Sequence, residues 1–396
     1  MRILFCNYEY PPLGGGGGVV MAALARELAR RHAVTVLTSG ALGLPAESRD
    51  GGVRVIRVPV FFRRQAAVAN LPSMAAYLPM AALRGLTLRK EGEFEVINTH
   101  FVVPTGPVGE FLAWAYRVPN VLSVHGGDLY DPSKASSPHR HAWLRAPIRH
   151  LLRRADAVVG QSRNTLQHVT GFYGVERETE LIPLGIDRPP AVRRATRADF
   201  GIPGNAFVAV TVGRVVARKA TVRLVQALHR AQRPNAHLII VGDGPDVPAV
   251  RQAAAEANLL DRVHLVGQVS EERKYQALGI ADIFVSTSQH EGFGLVFLEA
   301  MALGLPVICY DHGGQTDFLA SGETGFLVPL NDLEAFARAV QDLHDQPLLR
   351  RRMADHNLRL VEEYLIDRCA ARYEQVFDHA IRQAEPRAGR PRTGEN

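Results

Sequence analysis

The chain has 396 residues, 46% of them apolar and 22% charged, with a formal net charge of +6. That composition excludes a disordered chain, and the length exceeds what one hydrophobic core usually serves, so two domains are expected. Three scattered cysteines, Cys6, Cys309 and Cys369, argue against a disulfide framework or a zinc cluster and for reduced cytoplasm. The longest apolar stretch, residues 101–118, is broken by Pro104, Gly106, Pro107 and Glu110 and does not read as a membrane span. The amino terminus meets Asn7, Glu9 and Pro11 soon after its apolar start, which does not read as a signal peptide. Charge is uneven: residues 1–180 carry 21 Arg/Lys against 14 Asp/Glu, the remainder 25 against 26. A basic amino-terminal half suits an anionic partner such as a diphosphate or a lipid phosphate, or serves solubility alone.

Strand-like runs alternate with helical stretches along most of the chain, the pattern of parallel sheets covered by helices. Residues 2–6 read as a first strand, followed by a glycine loop and a helix over 19–31 with Val20, Leu24 and Leu28 on one face. Further strands are predicted at 33–38, 53–58, 96–99, 121–125, 157–160 and 180–183. Residues 184–203, with Gly, Pro and clustered Arg, read as a linker. The pattern then restarts, with strands at 207–212, 237–241, 263–267, 282–286 and 306–309. Helices are predicted near 220–231, 245–257, 271–278, 294–303, 333–343 and 348–357. The fold class is therefore α/β, with an amino-terminal domain over 1–185 and a carboxyl-terminal domain over 186–364. A last helix, 365–384, is expected to return to the first domain, ahead of a flexible tail at 385–396 that offers no packing face.

The most informative run is Glu291-Gly-Phe-Gly-Leu-Val-Phe-Leu-Glu299, at the carboxyl end of the strand predicted at 282–286. Gly292 and Gly294 let backbone N–H groups approach a ligand, and the following helix offers an anion-friendly first turn. Glu291 stands before that start and Glu299 about two turns along. Glu299 suits accepting hydrogen bonds from two ribose hydroxyls, and Glu291 suits contact with a transferred sugar; a helix cap or a structural ion pair is the alternative for each. Pro11-Pro-Leu-Gly-Gly-Gly-Gly-Gly18 joins the first strand to the first helix. Ordering five glycines is costly for an ordinary turn, and their bare amides suit a diphosphate; a flexible surface turn is the alternative, and the position after strand one favours the phosphate loop. The loop has neither the spacing of a dinucleotide fingerprint nor the Gly-Lys-Ser/Thr of a Walker loop.

In the second half, Arg214 offers two directional contacts to phosphate oxygens and Lys219 a mobile point charge, with Arg218 a third candidate. Solvated surface is the plain alternative. His125-Gly-Gly-Asp128 ends another strand: His125 is read as donating to a sugar hydroxyl or a diphosphate, with a local cap as the alternative, and Asp128 as orienting an acceptor. His100 has a weaker claim, as the end of a buried strand. Gly242-Asp-Gly-Pro245 and residues 266–269 would shape a nucleotide pocket. Residues 311–317 and 322–325 would form loops around the same cleft, with Gly313 and Gly314 bringing amides to a sugar or phosphate. A polyhydroxylated, negatively charged ligand fits this set, and a nucleotide sugar is one.

On these residues the chain resembles the retaining glycosyltransferases of family 4, which have the GT-B fold: two Rossmann-like parallel-sheet domains facing a central cleft. The resemblance spans nearly all of residues 1–383 and is strongest at 291–299 and the Ala-Met-Ala-Leu-Gly-Leu-Pro-Val-Ile that follows. It implies that the donor nucleotide lies mainly on the carboxyl domain. Gly15, Gly16 and Gly17 would meet its diphosphate, with Arg214 and Lys219 neutralising charge. Glu299 would hold the ribose, and Glu291 with Gly292, Phe293, Gly294 and Leu295 would line the rest of the donor site. His125, Arg214, Lys219 and Glu291 form the implied catalytic set, with His125 helping to stabilise the transition state. The implied reaction is same-face transfer through an oxocarbenium-like state, with no dedicated protein base, no metal and no cofactor beyond the nucleotide-diphosphate sugar. Unlike hydrolysis by a carboxylate pair, it asks the protein to hold two substrates and stabilise the departing diphosphate. Two departures stand out: Ala220 where many relatives have glycine, expected to stiffen the loop or narrow the phosphate approach, and Asp317, of shorter reach, where glutamate is common.

The same resemblance implies a UDP- or GDP-linked donor. The implied acceptor is a hydroxyl of a glycan or a polyprenyl-linked glycolipid, in cell-surface polysaccharide synthesis. A nucleotide-sugar epimerase or hydrolase, or transfer to a soluble small molecule, is the alternative. Phe61-Phe-Arg-Arg64 and the stretch holding His141, Trp143, Arg145, Arg149, Arg153 and Arg154 form a candidate surface for peripheral contact with an anionic membrane on its cytoplasmic side. An ordinary helix with a solvated basic face is the competing reading. No nucleic-acid partner is expected.

Overall fold

A computed structural model describes residues 1–61, 63, 70–131 and 137–384. Phe62 and Arg64 of the basic edge, and the tail at 385–396, lie outside the described residues. The chain divides into two compact units, Met1–Ile186 with Leu365–Asn396, and Asp187–Tyr364.

The first unit runs β1 (Arg2–Cys6), α1 (Gly16–Leu28), β2 (Ala33–Gly40), β3 (Glu47–Asp50), β4 (Val53–Pro59), α2 (Leu71–Leu88), β5 (Val96–His100) and α3 (Gly106–Tyr116). It continues with β6 (Asn120–Val124), α4 (Ala142–Arg154), β7 (Ala157–Gly160), α5 (Arg163–Gly171) and β8 (Glu180–Leu181). Its sheet has the order β3-β4-β2-β1-β5-β6-β7-β8 and is parallel except for β3 against β4. Ile3, Leu4, Phe5 and Cys6 are all buried, because helices cover both faces and a central parallel strand has no solvent side. β5 is buried along its whole length yet carries Asn98, Thr99 and His100, and each of these must find a hydrogen-bond partner inside.

The sequence reading placed one helix between the first strand and residue 186; the structure adds α2 to α5. Proline misleads here. Pro107 opens α3, where its missing N–H costs nothing, and Pro79 and Pro147 lie inside α2 and α4. β3 went unread because Glu47-Ser-Arg-Asp50 has no apolar content; it is an edge strand held by its register with β4.

The second unit runs β9 (Phe207–Val212), α6 (Val222–Ala231), β10 (Ala236–Val241), α7 (Val247–Glu256), β11 (Val263–Gly267) and α8 (Glu271–Gly279). Then come β12 (Ile283–Ser286), α9 (Leu295–Met301), β13 (Val307–Tyr310), β14 (Gly325–Val328), α10 (Leu333–Asp345) and α11 (Pro347–Leu360). All its strands are parallel, in the order β11-β10-β9-β12-β13-β14. Residues within the predicted linker are part of this unit: Arg197 pairs with Asp282 at 2.9 Å. The glycine-rich sequence at 322–325 predicts a loop there, but Gly325–Val328 forms β14. As a parallel strand it begins at the sheet end opposite the carboxyl rim, so the 322–325 turn sits by the start of β13, where Thr324 accepts from Val307 N–H, and not around a ligand site.

After Tyr364 the chain forms α12 (Ile366–Ala384) in the first unit, with Ile366 N–H donating to Ile186 C=O at 2.9 Å. Ile366, Cys369, Ala370, Tyr373, Val376, Phe377 and Ala380 recur at helical spacing and are buried in the core shared with α1. Cys6, Cys309 and Cys369 are buried and free. No helix among the described residues is long and apolar enough to cross a membrane.

Candidate active site

In a doubly wound sheet, ligands bind at the carboxyl ends of the strands where strand order reverses. In the second unit that reversal falls between β9 and β12. The loop after β9 is stapled to the loop after β12: Gln289 N–H donates to Arg218 C=O at 2.8 Å, and Thr287 Oγ1 donates to the carbonyls of Ala220 at 3.0 Å and Lys219 at 3.3 Å. This brings Lys219 Nζ onto Glu291 Oε1, with Arg218 Nη1 at 3.4 Å from Oε2 and also donating to His290 C=O. Burial alone would raise the Glu291 carboxyl, but Lys219 and Arg218 outweigh it and hold the group down at about 2. Two cations thus face one carboxylate, leaving a positive excess. Arg214 is exposed and makes no ion pair among the described residues. Arg218, the third candidate by sequence, is as firmly built into the site as Lys219.

The neighbouring loops close up by direct backbone contact. A Cβ on Gly242, at φ +143°, would lie 1.9 Å from the Gly213 carbonyl oxygen, so only glycine fits. Gly314 N–H donates to Glu291 C=O at 2.8 Å, which ties the loop after β13 to the same place, and Asp317 ends the turn Gly314–Asp317 there.

Glu299 lies on α9 with one oxygen on Lys274 Nζ at 3.0 Å; Lys274 also reaches Glu271 at 2.7 Å. Burial raises the Glu299 carboxyl and Lys274 only partly opposes it. For Lys274, burial would lower the ammonium, but Glu299 and Glu271 outweigh it and raise it. The second Glu299 oxygen has no partner among the described residues and is available to a ligand hydroxyl.

Two expectations for this run need correction. α9 has seven residues, under two turns, so its aligned dipole adds little for an anion. Phe293 is 3% exposed and packs on Phe318 at 5.0 Å, so any ligand contact from it must be by backbone. Gly294 is the left-handed cap of α9 and Leu295 its first residue. Ala220 sits at φ +47°, so its departure from glycine shows as left-handed backbone strain in a fixed loop.

In the first unit the strand order reverses between β1 and β5. Gly15 N–H donates to Glu9 Oε2 at 3.0 Å, so that amide is already answered by a carboxylate. Gly16 and Gly17 open α1, where amides lack intrahelical acceptors. A Cβ on Gly17 would meet Phe101 Cζ at 2.5 Å. Phe101 itself has φ +67°, a strained backbone for a bulky residue, and its ring lies 4.3 Å from that of His125. His125 follows the last residue of β6 and is 9% exposed. Its Nε2 is 2.9 Å from His100 Nδ1, and His100 Nε2 is 2.7 Å from Asn98 Oδ1. Burial pushes His125 down to about 4 and His100 well below its ordinary value, so both rings are neutral.

Asp128, expected to orient an acceptor, is held by the backbone on both sides. Its two oxygens accept from the backbone N–H of Val102 at 2.7 Å and of His125 at 2.9 Å, and burial pushes the carboxyl up to about 6. On α4, Ile148, Leu151 and Leu152 face inward, Arg149 donates to Tyr173 C=O and Arg154 pairs with Glu110. The apolar face of that helix is therefore spent on the core, and the exposed apolar group is Trp143, at 70%.

Sequence reasoning missed Lys274, Thr287, Asn98, Phe101 and Glu9. Lys274 carried a faint signal, three residues after Glu271 on a predicted helix. The others lacked any: Thr287 and Phe101 meet partners far off in the chain, Asn98 is fixed by Val121 and Ser123, and Glu9 reaches Gly15 only because the glycine loop folds back on it. Among the described residues, no group of three or more His, Cys, Asp or Glu is placed to hold a metal ion.

Comparison with known proteins defines the class. Residues 14–188 match the model of Glycosyltransferase Family 4, and residues 192–358 that of Glycosyl transferases group 1. A 2-deoxystreptamine N-acetyl-D-glucosaminyltransferase of Streptomyces fradiae is 30% identical over 348 residues, 83% of this chain and 82% of that one. A GDP-mannose-dependent alpha-(1-6)-phosphatidylinositol monomannoside mannosyltransferase of Mycolicibacterium smegmatis is 28% identical over 87% of this chain and 90% of its own. The fold is shared with sucrose-phosphate synthase of Thermosynechococcus elongatus at a TM-score of 0.82 and 24% identity, covering 97% of this chain and all of the other. The chain belongs to the GT-B glycosyltransferases of the group 1 and family 4 kind.

Proposed function

We propose that this glycosyltransferase moves a sugar, with retention of anomeric configuration, from a UDP- or GDP-linked donor to a hydroxyl of a glycan or polyprenyl-linked glycolipid. The observation that carries the reading is the reversal point of the second unit, where Lys219, Arg218 and Glu291 converge with two cations against one carboxylate. A departing diphosphate develops negative charge, and fixed cations in a partly dry site stabilise it without reorganising. Arg214 supplies a forked contact to phosphate oxygens, and Lys219 is shared between Glu291 and the phosphate. Gly15, Gly16 and Gly17 are assigned to the diphosphate, with Gly16 and Gly17 offering the open amides. Glu299 takes a ribose hydroxyl on its second oxygen, Glu291 a hydroxyl of the sugar, and His125 another.

The name of the mannosyltransferase relative supports a nucleotide-diphosphate donor and a lipid-linked acceptor. Peripheral attachment to the cytoplasmic side of a membrane belongs to the same proposal, with Trp143 and the basic face of α4 as its surface. A donor panel incubated with acceptor glycans and glycolipids, read by mass spectrometry and by NMR of the new anomeric centre, tests the reading. Transfer with retention is expected. Free sugar or an epimer in place of a glycoside would select hydrolysis or epimerisation, and absence of donor binding would end the proposal. Flotation with vesicles with and without anionic lipid tests attachment separately.

A further inference from the structure

Behind His125 lies a buried polar chain that runs in one direction. Asn98 Nδ2 donates to the Val121 carbonyl at 2.9 Å and to Ser123 Oγ at 3.0 Å. A backbone carbonyl can only accept, so the Asn98 amide cannot be turned round, and its Oδ1 faces His100 Nε2. His100 therefore carries its proton on Nε2 and offers the lone pair of Nδ1 to His125. His125 must answer with Nε2–H, and the lone pair of a neutral ring is then left on Nδ1. That Nδ1 is buried and has no partner in the protein. The middle ring is held from two sides, stacked on Phe5 at 5.3 Å and on Tyr373 at 6.3 Å. Tyr373 also bonds Ser123 Oγ at 3.0 Å, so α12 braces the same chain.

We infer that Asn98 and His100 are positioning residues that lock His125 in its Nε2–H tautomer, so that Nδ1 accepts a hydrogen bond and selects a sugar hydroxyl over a phosphate oxygen. The inference rests on the transferase reading for its ligand and reverses the expectation that His125 donates. An acceptor atom at this point is matched only by a ligand O–H or N–H. A phosphate oxygen would leave two lone pairs opposed in a dry site. Burial, which keeps both rings neutral at pH 7, is consistent with this arrangement.

Long-range 1H–15N spectra of protein labelled at histidine report which ring nitrogen bears the proton. At pH 7, His125 is expected as the pure Nε2–H form, with its Nδ1 resonance shifting when nucleotide sugar is added. His100→Gln preserves the direction of the chain, since its amide nitrogen donates to Asn98 and its oxygen accepts from His125. It should keep the tautomer and hold kcat/KM within about threefold. His100→Leu should give mixed tautomers and lose about tenfold in kcat/KM, the scale of one misdirected hydrogen bond. A merely structural His100 would change unfolding temperature in both variants and the tautomer in neither. Wild-type His125 found as Nδ1–H, or a pure Nε2–H form in a folded His100→Leu protein, overturns the inference. The wild-type spectrum can overturn the inference without any variant, and the His100→Leu spectrum tests whether His100 sets the tautomer. A pure Nε2–H spectrum in a protein that transfers nothing would sink the transferase reading instead.

Discussion

Both units gather their candidate site residues where strand order reverses, but they fill that place differently. The second unit uses charge: Lys219 and Arg218 on Glu291, Lys274 on Glu299. The first uses neutral groups: helix-start amides at Gly16 and Gly17 and a histidine pair that burial keeps uncharged. The contrast follows from what each can hold. Cations kept in place by carboxylates remain ionised when partly buried and can answer a diphosphate. Neutral rings cost less to bury and can discriminate hydroxyls by the direction of a hydrogen bond. On the proposed function, one topology would support two kinds of recognition, decided by the residues at the strand ends.

The strongest way to break this comparison is Lys219→Ala. Loss of a preorganised cation should lower kcat/KM by at least about 100-fold in a protein whose circular dichroism is unchanged. Activity within a few-fold of wild type would remove charge as the organising feature of the second unit.

Acid separates the units next. Glu291 sits at about 2 against an ordinary 4.5, so its contribution to stability is complete above 4.5 and is lost as pH falls toward 2. His100 and His125 are depressed from 6.5, so the unfolded chain binds more protons there and stability falls as pH drops below 6.5. Asp128, raised from 3.8 to about 6, works the other way over its own range and offsets part of this loss. Hydrogen exchange read by mass spectrometry should therefore show protection at residues 96–128 weakening between pH 6.5 and 5, while residues 283–301 hold until below 4.5; in the second unit only β10 and β11 with the β9 strand beside them, where burial also depresses His237 and His264, should weaken with the first set. The reverse order would contradict the assignment of charge states.

Lys274→Met probes a residue that acts through Glu299. Donor KM should rise about tenfold with kcat little changed, since ribose binding is weakened and the leaving diphosphate is not touched. An equal loss in kcat would move Lys274 into the chemistry itself. The smallest effect is a gain: Ala220→Gly relieves a left-handed backbone and should stabilise the second unit by about 1 kcal/mol in thermal unfolding.

Much of the architecture was readable because it is written in local periodicity. Val20, Leu24 and Leu28 announce a helix, and the apolar runs at 207–212 and 237–241 announce buried strands, wherever the rest of the chain goes. The motifs at strand ends were readable for the same reason, since a strand followed by glycine and a helix fixes which end of a parallel sheet the loop occupies. Polar β3 and glycine-led β14 were not, because only pairing with a neighbour makes either a strand.

By itself, then, the sequence determined an α/β chain with two strand–helix series and its charged and glycine-rich loops at their ends. Only the tertiary structure decided that Lys219 meets Glu291 across 72 residues, that Lys274 holds Glu299, and that Asn98 and His100 stand behind His125. The reason is physical: propensity acts over a few residues, whereas these contacts depend on strand order and register, which are set when the whole sheet buries its two faces.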